Sequence, residues 1–185
     1  MTDTRTQLLD CAEAQIRQRG YHAVSFRELA DALGIKSASV HYYVPQKEDL
    51  GLALVGRYRE RFFSALNDAD PGAAHWQSRI AAFRATYRAA FTADDRICLC
   101  GMLGAESGGL PPRLAQAVGA FFQANIQWLT PAMDPDLPPE RQTMRATAIV
   151  SALQGAMMLA VATGDLALFD RTLDGISEMA GATSA

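Results

Sequence analysis

The chain has 185 residues, 49% of them hydrophobic, and its 17 basic and 20 acidic residues give a formal net charge of −3. That length suits one large helical domain or two modest ones with a packed core, and the charge alone does not indicate a nucleic-acid ligand. Three cysteines and the polar start from Met1 to Arg5 argue against a secreted disulfide scaffold and a signal peptide, so we expect a cytoplasmic protein.

The first predicted helix covers Thr4 to Arg19 and ends at Gly20. Thr4 and Gln7 have the spacing of a capping box, and every fourth residue on one face is apolar. That face carries Leu8, Ala12 and Ile16. We expect this helix to pack across the next two and to complete a three-helix head.

A second helix is predicted between Ser25 and Gly34. Ser25 and Glu28 form a capping box before an apolar face, and Gly34 follows that face where a left-handed residue is expected. The face consists of Phe26, Leu29, Ala30 and Leu33, at the spacing of one side of a helix.

A short third helix follows after a tight turn. Ser37 is predicted to N-cap it, the helix covers Ala38 to Tyr43, and Pro45 prevents it from continuing. Two short helices joined by a glycine turn make a helix-turn-helix, whose second helix enters the major groove of DNA.

These residues resemble the DNA-binding domain of TetR-type bacterial transcriptional regulators. The matching segments are Gly20-Tyr21, Ser25 to Ala30, Leu33 to Ile35, Ser39 to Tyr43 and Lys47 to Leu50. The sequence departs at Val44, where the family usually has an aromatic residue, and at His41, where tyrosine is common. The resemblance implies a homodimeric regulator that binds palindromic operator DNA and responds to a small-molecule effector.

Nine residues in and around the third helix are our candidates for contact with DNA. Small residues allow close approach, hydroxyl, ring and imidazole groups reach bases and phosphates, and Lys47 at a helix start suits a phosphate. They are Arg27, Lys36, Ser37, Ala38, Ser39, His41, Tyr42, Tyr43 and Lys47. Val40 should point inward, and Tyr42 or Tyr43 could instead simply pack the head.

The remaining chain predicts further helices, so the fold class is all-α: a helix-turn-helix head and a helical ligand-binding and dimerisation domain. Lys47 opens a connecting helix to about Leu66, and the Asp, Pro and Gly cluster at 67–74 marks a boundary. The predicted domains are therefore a head at 1–46, a connecting helix at 47–66 and an effector-binding, dimerising domain at 67–185. Within the last domain we expect helices over Trp76 to Thr92, Arg96 to Glu106 (capped by Asp94-Asp95) and Leu114 to Thr130.

The last two helices predict a dimer interface. The apolar run from Ala146 to Thr163 contains polar residues, so we interpret it as a buried helix and not as a membrane span. Small residues every four positions allow close helix approach, and an amphipathic seam follows Gly164, so two subunits could form a four-helix bundle. The predicted interface residues are Ala148, Ala152, Ala156, Leu166, Phe169, Leu173 and Ile176. The alternative is that both seams pack within one subunit.

The segment from Cys98 to Glu106 resembles a Cys-Leu-x-Gly-x-Leu-x-x-Glu motif in one branch of TetR-type regulators, some of which respond to reactive electrophiles or small unsaturated acids. Cys98 matches the cysteine of the motif and Glu106 its acid, whereas Cys100 is extra. A thiol near a helix start can become a nucleophile, although Asp94-Asp95 would oppose this and Cys98 could simply be a packing residue. Large apolar side chains nearby could line an effector pocket. The predicted effector-binding residues are Phe83, Tyr87, Cys98, Met102, Glu106, Phe121, Trp128 and Met157.

Other classes of function find little support. Cys98, Cys100 and His75 lack the further ligands that a zinc site needs, and the sequence has no phosphate loop or nucleophile elbow. We therefore predict no enzyme, no metal and no cofactor. The prediction is a sequence-specific repressor released by a small-molecule effector; the alternatives are a redox or electrophile sensor acting through Cys98, and a helical protein–protein adaptor with a degenerate head.

Overall fold

The computed structural model describes residues 3–69, 76–92 and 96–181, which fold into helices without a strand among them, so the predicted all-α class is confirmed. Short 3-10 turns occur at Ser107–Gly109 and Thr130–Ala132. The α-helices of these residues are α1 (Thr4–Arg19), α2 (Phe26–Leu33), α3 (Ser37–Tyr43), α4 (Lys47–Ala69), α5 (Trp76–Thr92), α6 (Leu99–Ala105), α7 (Pro112–Leu129), α8 (Pro139–Thr163) and α9 (Ala167–Gly181).

The chain forms two compact units, each built from two separated stretches. The first unit contains residues 1–60 and 99–121, and the second contains 61–98 and 122–185. Residues 99–121 pack in the unit of the head although they follow the predicted boundary at 67–74. Close packing accounts for part of this, because a Cβ atom at Gly51 of α4 would lie 2.6 Å from a methyl group of Leu114 in α7.

The predicted helix-turn-helix geometry is confirmed except for one cap. The Oγ of Ser25 accepts a hydrogen bond from the backbone N–H of Glu28 at 3.2 Å, and Gly34 has a φ of +65°. Ser37, however, does not N-cap α3. The extended residue Lys36 occupies that position, its carbonyl accepts the N–H of Ser39 at 2.8 Å, and Ser37 is already the first helical residue.

Helix α1 has the predicted bounds, and its apolar face is fully buried at Leu8, Ala12 and Ile16. The predicted capping box of Thr4 and Gln7 is wrong, because Asp3 precedes the helix and accepts the Gln7 N–H through its carbonyl at 3.0 Å. Thr4 is therefore inside the first turn and cannot cap it.

Two helices of the body begin elsewhere than predicted. Helix α5 has the predicted bounds, but α6 begins at Leu99, so Cys98 precedes the helix. The predicted cap Asp94-Asp95 lies outside the described residues, as does His75. Helix α7 begins two residues before the predicted start because Pro112 suits a first helical position, where its missing N–H is not needed.

Helix α8 is long and apolar enough to cross a membrane by length and composition alone. It packs against α9 in the second unit, and one of its faces is buried in the folded chain. Its buried residues are Ala146, Ile149, Val150, Leu153, Ala156, Met157 and Ala160. This pattern is that of a helix in a protein core, as the sequence predicted.

Candidate functional site

Helix α3 presents one polar and aromatic face to solvent. Val40 is completely buried, as predicted, and anchors the helix from the opposite side. Lys36, Ser37, Ala38, His41 and Tyr42 are exposed, whereas Ser39 and Tyr43 are half-buried. Tyr42 is 84% exposed and meets the ring of Tyr43 edge-on at 5.2 Å, so it does not pack the head.

His41 is held in place by two contacts at the end of α3. Its ring meets Phe26 of α2 edge-on at 4.8 Å, and its Nδ1 lies 3.2 Å from the carbonyl oxygen of Pro45. Because a carbonyl oxygen can only accept, Nδ1 carries the proton in this bond. In the neutral imidazole, Nε2 is then an acceptor for a donor on a base edge.

Lys47 opens α4, and its ammonium group already has partners in the head. It donates to the carbonyl oxygen of His22 at 3.3 Å and lies 4.7 Å from the ring centre of Tyr21. Burial lowers the pKa of Lys47, while Glu106 and Glu28 act in the opposite direction. An ammonium group has three donors, so a phosphate contact is compatible with this arrangement.

Arg27, the remaining DNA-binding candidate, is exposed on the first turn of α2. Its neighbour Glu28 donates its backbone N–H to the Oγ of Ser25, and its carboxylate lies 3.7 Å from the guanidinium group of Arg19 in α1. The structure therefore leaves Arg27 accessible at the start of α2, while Glu28 makes its contacts within the head.

A chain of hydrogen bonds links three helices within the second unit. The hydroxyl group of Tyr87 in α5 donates to Oδ1 of Asn125 in α7 at 3.2 Å and lies 3.3 Å from Nε2 of Gln154 in α8. The Oε1 of Gln154 accepts the thiol of Cys98 at 3.4 Å. We call these four residues the polar chain. Sequence reasoning missed Asn125 and Gln154, although Asn125 is a polar residue in a helix that is apolar on nearly all sides.

Apolar rings surround part of the polar chain. Phe83 lies 4.9 Å from the ring of Tyr87 and is stacked on Trp128 at 5.8 Å, while Met157 is fully buried in α8. The structure thus brings Phe83, Tyr87 and Trp128 together, and the polar chain links Cys98 to Tyr87.

The other predicted effector residues, Met102, Glu106 and Phe121, lie in the first unit. Phe121 packs its ring on Tyr58 at 5.6 Å. Glu106 accepts a hydrogen bond from the backbone N–H of Tyr21 at 2.7 Å, so its carboxylate faces the head. The predicted effector set is therefore divided between the two units.

The predicted interface residues divide in a similar way. Ala156, Phe169 and Ile176 are buried within the folded chain, and Phe169 lies 4.9 Å from the ring of Phe91 in α5. Burial of these three side chains is what the alternative, a seam packed inside one subunit, predicts. Ala148 and Leu166 are exposed and Ala152 is half-buried, while the side chain of Leu173 is outside the described residues. The large exposed apolar residues of α8 and of the residues before α9 are Met144, Met158, Leu159, Val161 and Leu166.

The head matches a known sequence family, described as bacterial regulatory proteins of the tetR family, over residues 8–54. A curated relative, the HTH-type transcriptional repressor KstR2 of Rhodococcus jostii (strain RHA1), is 38% identical over 71 residues. That alignment covers 34% of this chain and 35% of the relative, so about a third of the relative's length is matched.

Solved structures match nearly the whole chain. The crystal structure of a TetR transcriptional regulator from Legionella pneumophila is 28% identical, has a TM-score of 0.88 and covers 97% of this chain and 98% of its own. A TetR-family transcriptional regulator from Agrobacterium tumefaciens is 24% identical, with a TM-score of 0.85 and coverage of 95% and 96%. At that identity the second likeness extends to the fold only.

Proposed function

We propose that this chain is a TetR-type bacterial regulator, a homodimeric repressor that binds palindromic operator DNA through α3 and releases it when a small-molecule effector binds. The observation that carries this proposal is the α3 face, on which Tyr42 is 84% exposed while Val40 behind it is completely buried. An exposed aromatic and hydroxyl-bearing face on a helix-turn-helix suits the major groove.

The proposed dimer forms through the exposed apolar side chains of α8. Met144, Met158 and Leu159 are each about half exposed, and all three are carried by one helix. Burying them against a second copy would remove apolar surface from water. A two-fold dimer then reads two half-sites about one helical turn of DNA apart, or a multiple of it.

The proposed effector site lies in the second unit, at the polar chain and its aromatic neighbours. Ligand sites are mostly apolar with a few fixed polar groups, and Tyr87, Asn125 and Gln154 supply such groups beside Phe83. An effector that weakens operator binding must itself be bound more weakly by the operator complex, by the same factor. Typical couplings of this kind are about 1–3 kcal/mol.

We propose a cytoplasmic location and no enzymatic activity. Sensing of electrophiles through Cys98 remains the alternative mode of control, in which addition of an electrophile to the thiol would break its bond to Gln154. The helical adaptor with a degenerate head is the alternative function, and it would show no salt-dependent affinity for duplex DNA.

Nuclease footprinting on the DNA upstream of the gene tests the proposal. We expect two protected half-sites of similar sequence, related by a two-fold axis, with protection lost in Tyr42→Ala. Gln123→Ala, at an exposed position of α7, is the matched control and should protect like wild type. Protection that is absent, or that persists unchanged in Tyr42→Ala, would contradict the assignment of α3.

A further inference from the structure

Two charged side chains, those of Glu106 and Lys47, form hydrogen bonds with the backbone of the turn between α1 and α2 within the first unit. The backbone N–H of Tyr21 donates to Oε2 of Glu106 at 2.7 Å, across 85 positions of the sequence. Hydrogen bonds to an ionised carboxylate are shorter and stronger than neutral ones. Glu106 follows the last residue of α6, so this bond joins the end of α6 directly to the head.

The backbone of the turn is shaped to admit the carboxylate. Gly20 has a φ of +87°, and a Cβ atom built on it would lie 2.2 Å from Oε1 of Glu106. Any side chain at this position would therefore displace the carboxylate. The ring of His22 similarly lies 3.1 Å from the place where a Cβ of Gly109 would be, in the 3-10 turn that follows Glu106.

Lys47 also contacts the same turn. Its ammonium group lies over the ring of Tyr21 and donates to the carbonyl oxygen of His22. The negative charge of Glu106 acts to raise the pKa of Lys47 against the lowering effect of burial. We call Glu106, Lys47 and the turn Gly20–His22 the clasp.

We propose that Glu106 is a positioning residue for operator binding. Its carboxylate holds the α1–α2 turn at the end of α6 and thereby fixes the position of the helix-turn-helix. The clasp lies directly before α2 and at the start of α4, so it borders both ends of the segment that contains α2 and α3. The inference rests on the proposed DNA-binding function. It assigns Glu106 to the head and not to the effector site.

The test compares wild type, Glu106→Ala and Glu106→Gln with Glu140→Gln, an exposed glutamate in the first turn of α8, as control. Two quantities are measured: hydrogen exchange of the Tyr21 amide by NMR in the free protein, and affinity for the upstream duplex by fluorescence anisotropy at several salt concentrations. In Glu106→Ala we expect the exchange rate of the Tyr21 amide to rise about tenfold, because one charge-assisted hydrogen bond is lost. For the same reason we expect operator affinity to fall about tenfold.

Two features distinguish positioning from a phosphate contact or general damage. The slope of affinity against salt should stay as in wild type, since no phosphate contact is removed. Glu106→Gln should restore part of both properties, because its amide oxygen can still accept the Tyr21 N–H. This variant keeps the shape of the side chain, so it serves the test if Glu106→Ala fails to fold.

The outcomes separate the clasp from the proposed function. Wild-type affinity in both Glu106 variants, or unchanged Tyr21 exchange in Glu106→Ala, would contradict the positioning role of Glu106. The proposal that the protein is a DNA-binding regulator would still stand. A wild-type protein without salt-dependent affinity for the duplex would instead remove the proposed function, and with it the purpose assigned to Glu106.

Discussion

The hydroxyl group of Tyr87 donates a hydrogen bond to Oδ1 of Asn125 at 3.2 Å, and neither residue is more than 1% exposed. A buried polar group is costly unless it is paired, so this hydrogen bond offsets part of the cost of burying both side chains. Their bond, with Gln154 on the same hydroxyl, joins α5, α7 and α8 in the second unit.

Tyr87→Phe should therefore destabilise the protein by about 1–3 kcal/mol, because it leaves polar atoms of Asn125 and Gln154 without this partner while keeping the ring. Urea unfolding measures the loss. Tyr42→Phe removes the same hydroxyl from a residue that is 84% exposed and should leave stability unchanged. Equal stability of the two variants would mean that the buried bond contributes nothing net.

Tyr42→Ala should weaken operator binding by about tenfold or more without changing the dimer, since a good base or phosphate contact is worth roughly 1–3 kcal/mol. Anisotropy titration measures the affinity, and sedimentation velocity checks the assembly. Tyr42→Phe keeps the ring and should lose less. Dissociation of Tyr42→Ala into monomers would place this residue at a subunit contact and contradict its role.

Leu159→Glu should break the proposed dimer, because Leu159 is 55% exposed on α8 and a carboxylate cannot be buried there cheaply. Sedimentation velocity should show a monomer at concentrations where wild type is a dimer. Gln123→Glu introduces the same charge at an exposed position of α7 and serves as the control. A dimeric Leu159→Glu would show that the subunits meet elsewhere.

The three cysteines should react with N-ethylmaleimide in an order set by their exposure. Cys11 is half-buried, whereas Cys98 and Cys100 are buried and Cys98 donates to Gln154. We therefore expect Cys11 to be alkylated first and operator binding to survive that first addition. Mass spectrometry of peptides gives the order. Faster reaction at Cys98, with operator binding lost in wild type and kept in Cys98→Ser, would favour the electrophile sensor.

The sequence predicted the head well because its signals are local. The cap of Ser25 and Glu28, the left-handed Gly34 and the stop at Pro45 each act within one helical turn, so neighbouring residues determine them. The predictions were wrong where two neighbouring residues could each occupy the N-cap position of a helix. Lys36, not Ser37, occupies the N-cap of α3, and Asp3 precedes α1 in place of Thr4.

Relationships between distant residues could not be predicted from the spacing of residue types. The motif shared with Cys98 predicts an effector-binding role for Glu106, whereas in the structure its carboxylate accepts the backbone N–H of Tyr21. Asn125 and Gln154 lie on helices whose apolar patterns gave no sign that they would meet Tyr87. Helix periodicity identifies a buried face, but not which face of another helix covers it.

The most direct test of the central claim is a fluorescence anisotropy titration of wild-type protein against its upstream duplex and against a scrambled duplex of equal composition. We expect tighter binding to the upstream duplex, with an affinity that falls steeply between about 50 and 200 mM salt as phosphate contacts release counterions. Equal affinity for both duplexes, or no dependence on salt, would contradict an operator-binding regulator and favour the adaptor.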